Sequence, residues 1–378
     1  MHAPSTANLA FQHPTRITPA KAMELANLVL IAYNKNLKFV ESMAEFGHEP
    51  FDLFPDTVMC NDNSEYDDDN PEHLAAEPYQ IASWIWTTEQ MGLSHAFRHR
   101  TLPFGFIAHK PLTRELFIIL RGTITSSEWK NNVIAVPTSS INGATNLGMV
   151  HAGFNRMFNA THKEVSELHL GRIDAPTPDF YGAPNLPERS GSIKEFIAET
   201  VINADWHRRG YRIYVAGHSL GGALAMLAGF QLLTHDYSAY KDILSVCTFG
   251  SPRVGNQDFC DWFRECDVVR YANTEDVVPT VPPSTVNLFG SDMKETNSSK
   301  VLALREAGYR QLDDTFGATK GLDYNANDAT GDEAWQKRAY VHSGEHRSFT
   351  INKGSISYNH NMKETYRRGI MLLADGRP

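Results

Sequence analysis

Hydrophobic positions along this chain recur with two different periods, and each period predicts an element. Ala22, Leu25, Ala26, Val29 and Tyr33 return at helical spacing behind Thr18-Pro19, an N-cap followed by proline at the first helical position. A packed helix is predicted there. Elsewhere the apolar residues cluster in short runs rather than at helical spacing. Residues 116–120 (Leu-Phe-Ile-Ile-Leu), 211–216 (Tyr-Arg-Ile-Tyr-Val-Ala) and 267–272 (Asp-Val-Val-Arg-Tyr-Ala) read as short buried strands. The second of these runs into Gly217-His218-Ser219-Leu220-Gly221 and then a small-residue apolar stretch, 222–228, which predicts strand, sharp turn and helix. A last helical stretch is predicted over 363–374. Strands alternating with helices specify an α/β class with a mostly parallel central sheet flanked by helices.

Polar stretches interrupt this pattern at about 61–72, 172–192 and 290–347. The first carries Asp62, Glu65, Asp67, Asp68 and Asp69 but lacks the glycine that a calcium loop needs at its sixth position, so it reads as a solvated acidic loop. The second is rich in proline and glycine, and the third is mixed in charge with room for short helices. All three read as surface insertions. No repeat or interdomain linker is evident, so residues 1–378 are expected to form one domain.

Composition narrows the function classes. An apolar share of 42% is enough for a packed core, yet no run approaches the roughly 20 apolar residues of a membrane span. A net charge of −9 argues against nucleic acid and against docking on anionic lipid through a basic patch. The first residues show neither a basic nor an apolar leader region, so a cytoplasmic location or leaderless export is expected. The four cysteines, Cys60, Cys247, Cys260 and Cys266, have no metal-site spacing with histidine, so neither a metal nor a cofactor is expected. Cys247 falls in a core strand and reads as a buried thiol. A disulfide from Cys60 to a later cysteine stays open.

The turn at Ser219 carries the chemistry. A nucleophile elbow strains its central residue and brings strand and helix so close that side chains at the flanking glycines would collide with backbone. The helix N-terminus behind it favours developing negative charge. A serine nucleophile needs a base oriented by an acid. Asp276, past the carboxyl end of the strand at 267–272, is the candidate acid, with Glu275, Asp258 and Asp267 as competitors. Of 16 histidines only His342, His346 and His360 follow it, and His360 is favoured because it precedes the terminal helix. Oxyanion donors are expected at the Leu220 N–H and at Gly122-Thr123, just past the strand at 116–120.

Four motifs make the pattern specific: Leu120-Arg121-Gly122-Thr123, Val150-His151-Ala152-Gly153-Phe154, the elbow from Ala216 through Ala225, and Thr248-Phe249-Gly250-Ser251-Pro252-Arg253-Val254-Gly255-Asn256. Asn273-Thr274-Glu275-Asp276-Val277-Val278-Pro279 continues the series. In these stretches the chain resembles the fungal-type class 3 lipases, triacylglycerol lipases with an α/β-hydrolase fold. The resemblance implies a triad of Ser219, Asp276 and His360 and an oxyanion hole at Thr123 and Leu220. Around His360 the match is looser, carried by Met362 and a displaced Tyr366, and His342 remains the alternative base. The resemblance also implies a lid over 126–133, with Trp129 in it. The neighbours of Trp129 are polar, so weak interfacial activation and only transient contact with a lipid interface are expected. The implied substrate is a lipid or other carboxylic ester. A phospholipase A1 or short-acyl carboxylesterase would use the same machinery, and a non-catalytic lipase-like scaffold would usually lack a triad member.

Overall fold

The computed structural model describes residues 15–45, 53–59, 78–91, 98–123, 137–138, 147–159, 191–282 and 340–376. Helix α1 (Pro19–Glu45) starts where the sequence predicts, with the Thr18 hydroxyl accepting the Lys21 N–H at 3.2 Å. Ala22, Leu25, Ala26 and Val29 are fully buried on one face.

The main sheet has eight strands in the order β1-β2-β3-β4-β7-β8-β9-β10. It opens with an antiparallel meander of β1 (Thr57–Val58), β2 (Tyr79–Met91), β3 (Arg98–Lys110) and β4 (Glu115–Leu120). From β4 onward every pairing is parallel, through β7 (Arg212–His218), β8 (Leu244–Phe249), β9 (Asp267–Asn273) and β10 (Glu345–Phe349). A separate two-stranded ladder joins β5 (Pro137–Thr138) to β6 (Val150–His151). The inner parallel strands β4, β7 and β8 are covered on both faces, which is why their sequences are near-continuously apolar rather than alternating. Ile118, Val215, Val246 and Val268 enter the core under helices α2 (Ala152–Asn159), α3 (Ile193–Ile197) and α4 (Leu220–His235). Phe117, Tyr214, Cys247 and Val269 face the other way, towards α1 and the C-terminal helix. This is the α/β-hydrolase arrangement.

Two boundaries differ from the sequence reading. The stretch 290–347 was expected to be an insertion throughout, but its end starts β10, which pairs in register with β9. Only Phe349 of Glu-His-Arg-Ser-Phe is buried, so this edge strand has no apolar run to betray it. Ser192, at the end of the predicted excursion 172–192, instead caps α3 in a capping box with Glu195. The terminal helix opens with a π-turn over Met362–Tyr366 and continues as α7 (Arg367–Ala374), after α5 (Gln257–Asp261) and α6 (Ile356–Asn359). Cys247, Cys260 and Cys266 are buried free thiols. Burial pushes the thiols of Cys260 and Cys266 up to about 12. The acidic stretch 61–72, Cys60 and the expected lid with Trp129 lie outside the described residues. Among the described residues no helix is long and apolar enough to cross a membrane.

Candidate active site

Ser219 sits between β7 and α4 with φ 57° and ψ −126°, the left-handed region that a non-glycine residue enters only under constraint. Such strain costs about 1–3 kcal/mol and must be held by its surroundings. The constraint is visible on both sides. A Cβ on Gly217 would lie 2.1 Å from the Gly221 carbonyl oxygen, and one on Gly221 would lie 2.4 Å from that of Arg121. The Ser219 N–H donates to Phe249 O at 2.9 Å, and its own carbonyl accepts Gly222 N–H at 2.9 Å.

Asp276 follows the carboxyl end of β9 and is almost completely buried. Its Oδ1 accepts the Val278 N–H at 2.9 Å. Its Oδ2 accepts two bonds of 2.6 Å, from His360 Nδ1 and from the Tyr366 hydroxyl. A carboxylate can only accept, so Nδ1 carries the imidazole proton and Nε2 is the basic nitrogen. Tyr366 is fully buried, and burial followed by the Asp276 charge raises its phenol well above the ordinary 10. It stays a donor. Side chains fasten the segment carrying His360 to the acid loop. Asn273 Nδ2 donates to the carbonyls of Ile351 at 2.8 Å and Asn359 at 3.0 Å, and Asn359 Nδ2 donates to Glu275 O at 3.2 Å.

The competing acids and bases lie elsewhere. Glu275 is exposed and receives Asn352 Nδ2 at 3.3 Å. Asp258 is exposed on α5, receiving Asn256 Nδ2 at 3.3 Å. Asp267 is at the far end of β9, where it receives the Thr15 hydroxyl at 2.6 Å and the Arg16 N–H at 2.8 Å. His342 donates Nε2–H to Pro279 O at 2.8 Å, and burial followed by the Arg270 charge pushes its pKa down to about 3. His346 is exposed on β10 opposite Arg270.

The end of β4 closes the site from the other side. Arg121 is buried and donates to Pro103 O at 2.9 Å, Gly122 O at 2.7 Å and Asn36 Oδ1 at 3.0 Å. Gly122 lies so near the elbow that a Cβ there would be 2.8 Å from Ser219 Cβ and 2.5 Å from the Tyr33 hydroxyl oxygen. Thr123 follows it directly, and Leu220 opens α4 on the other side of Ser219. Three further residues join here without having been assigned a role from sequence. Tyr33 accepts the Gly122 N–H at 2.8 Å, His218 bonds both Tyr33 and the His360 carbonyl, and Tyr366 holds the acid. Tyr33 looks like an ordinary core position of α1, and His218 occupies the variable middle of the elbow motif. Only the contacts reveal them. Among the described residues no group of His, Cys, Asp and Glu is arranged to hold a metal ion.

Residues 117–286 match the sequence profile of the class 3 lipases, a span running from β4 through the elbow to the loop of Asp276. Over that span the chain is similar to the class 3 lipases. A lipase of Caenorhabditis elegans is 37% identical over 113 residues, covering 28% of this chain and 31% of that protein. The chloroplastic phospholipase A1-Igamma3 of Arabidopsis thaliana is 25% identical over 269 residues, covering 63% of this chain and 48% of that one. The chain thus spans from about a third to about half the length of these curated relatives. Among solved structures, a Rhizomucor miehei lipase–propeptide complex aligns over 75% of this chain and 73% of its own, at 19% identity and a TM-score of 0.40.

Proposed function

We propose that the protein is a serine-dependent carboxylic ester hydrolase that cleaves acylglycerol esters through an acyl-enzyme. The observation that carries this reading is the buried Asp276 carboxylate, bonded at 2.6 Å to His360 Nδ1, with the His360 ring packed on His218 next to the strained Ser219. Ser219 Oγ attacks the ester carbonyl carbon while His360 Nε2 takes its proton, and Asp276 stabilises the imidazolium that forms. The Thr123 and Leu220 N–H groups receive the oxyanion, helped by the N-terminus of α4. His360 then gives its proton to the departing alcohol. Water repeats the sequence on the acyl-enzyme and releases the carboxylic acid. No cofactor takes part. The partner is a lipid surface, met transiently through a lid around Trp129, with weak interfacial activation; a sharp rate jump at the substrate's solubility limit would contradict that last point.

The alternative reading, a phospholipase A1, has support in the length of the match to the plant phospholipase, which covers 63% of this chain. Chromogenic esters from acetyl to palmitoyl, triacylglycerols and phosphatidylcholine, tested on native protein and Ser219→Ala, decide between them. Triacylglycerol turnover that vanishes in the variant supports the lipase. Turnover confined to the phospholipid moves the assignment to phospholipase A1, and activity surviving Ser219→Ala removes the mechanism.

A further inference from the structure

The elbow residue before the nucleophile holds the two halves of the site together. His218 Nε2 lies 2.9 Å from the backbone oxygen of His360, and its Nδ1 lies 2.8 Å from the Tyr33 hydroxyl. A carbonyl only accepts, so Nε2 must carry the proton. Complete burial and then the neighbouring His360 hold the ring well below its ordinary 6.5, so it is neutral and Nδ1 is an acceptor. Tyr33 therefore donates its hydroxyl proton to Nδ1, and its oxygen remains to accept the Gly122 N–H at 2.8 Å. Every donor and acceptor role in this chain is thereby determined. It runs from Gly122 through Tyr33 and His218 to the peptide carbonyl of His360. The His218 and His360 rings also pack against each other, with centroids 4.6 Å apart.

Resting on the hydrolase reading above, we propose that His218 is a positioning residue, spanning the backbone of the base and, through Tyr33, the oxyanion strand. One neutral imidazole then sets the distance between the group that takes the proton and the peptide that follows Gly122. That distance matters because oxyanion donors and base act on the same transition state, and small misplacements cost rate rather than affinity. Histidine suits the position because a small flat ring offers one donor and one acceptor on opposite edges. Leucine offers neither, whereas glutamine offers both.

The test combines kinetics with a readout that needs no turnover. His218→Leu and Tyr33→Phe are each expected to lower kcat by about 10- to 100-fold with KM nearly unchanged, the cost of leaving buried partners unbonded. The double variant should fall little below the weaker single one, because both break the same chain. His218→Gln should recover most of kcat. Nitrogen NMR of the folded protein should show His218 protonated at Nε2 alone. Multiplicative losses in the double variant, native kcat in a folded His218→Leu protein, or a proton on Nδ1 would each overturn the proposal. Ser219→Ala is the separate control. If it keeps ester hydrolysis the hydrolase reading fails, while the tautomer measurement still judges the His218 arrangement.

Discussion

Replacing His342 with glutamine should flatten the acid side of the protein's stability curve. His342 follows the isolated bridge between Gly255 and Val341 and donates Nε2–H to the Pro279 carbonyl at 2.8 Å. Burial, then the charge of Arg270, lowers its pKa from 6.5 to about 3. An unfolded chain takes up this proton as the pH falls through 6.5, whereas the folded protein does not until about 3. Between those values the unfolded state binds more protons, so stability drops as the pH drops. Each pH unit inside the window is worth about 1.4 kcal/mol, which makes His342 responsible for a loss of about 2 kcal/mol between about pH 7.5 and pH 5. This is a large part of the ~5–15 kcal/mol that separates folded from unfolded domains. Glutamine can still donate to Pro279 but does not titrate. Urea unfolding followed by tryptophan fluorescence, at several pH values on both proteins, isolates the effect. His218 and every other titrating group are common to the two proteins and cancel in the difference. The native and variant curves should separate by about 2 kcal/mol by about pH 5. Parallel curves would refute the reasoning, whatever the absolute stability of the variant.

Three other substitutions test the site. Tyr366→Phe keeps the ring but removes the 2.6 Å bond to Asp276 Oδ2, and with it a charge-assisted bond worth about 1.5–3 kcal/mol. It should lower kcat by roughly 10- to 100-fold with little change in KM; steady-state kinetics showing no change would mean that Asp276 does not need this support. Gly122→Ala puts a methyl group 2.5 Å from the Tyr33 oxygen and 2.8 Å from Ser219 Cβ. Thermal unfolding should reveal a loss of about 1–3 kcal/mol together with reduced turnover, and a variant as stable as native would contradict the close approach of β4 to the elbow. Ser219→Ala should lower kcat by up to ~10⁶ while leaving the unfolding midpoint no lower than native, since alanine removes no buried bond that the native serine is seen to make through its side chain.

Much of this is legible in the sequence. The continuous apolar runs at 116–120 and 211–216 are strands because both faces of the sheet are covered, and the elbow glycines are forced by backbone approaches of 2.1 and 2.4 Å. Chain order and nearness to secondary structure point to Asp276 and His360, and the two lie bonded to each other at 2.6 Å. What sequence did not reveal falls into two groups. β10 is an edge strand with one buried side chain, so its pattern is that of a polar loop. Tyr33 and His218 look like packing positions, because a helix face or a turn motif carries no sign of which hydroxyl or ring nitrogen meets a partner 89 or 142 residues away.

The position of β10 also explains how acid and base can be separated by so much polar sequence and still meet. After Asp276 and the turn at Val278–Thr280, the chain returns to the described structure at Tyr340, where Val341 bridges Gly255. β10 then pairs with β9 from Glu345 opposite Val269 to Phe349 opposite Asn273, so the two strands end level with each other. Thr274 N–H donates to Phe349 O at 2.9 Å, and Asn273 takes hold of Ile351 and Asn359 immediately beyond. His360 is thus located by strand register and two asparagines, not by the path of the intervening chain. Closing a flexible segment costs only about 0.6 kcal/mol more for each doubling of its length, so the length of the sequence between acid and base is a weak determinant of whether they meet. Shortening it without disturbing β10 should therefore leave the Asp276–His360 bond intact, whereas a proline at Arg347, opposite Tyr271, should disrupt that end of the ladder and release the base. Retention of the acid–base hydrogen bond in the proline variant, seen as a downfield imidazole proton, would show that the asparagine clamp alone suffices.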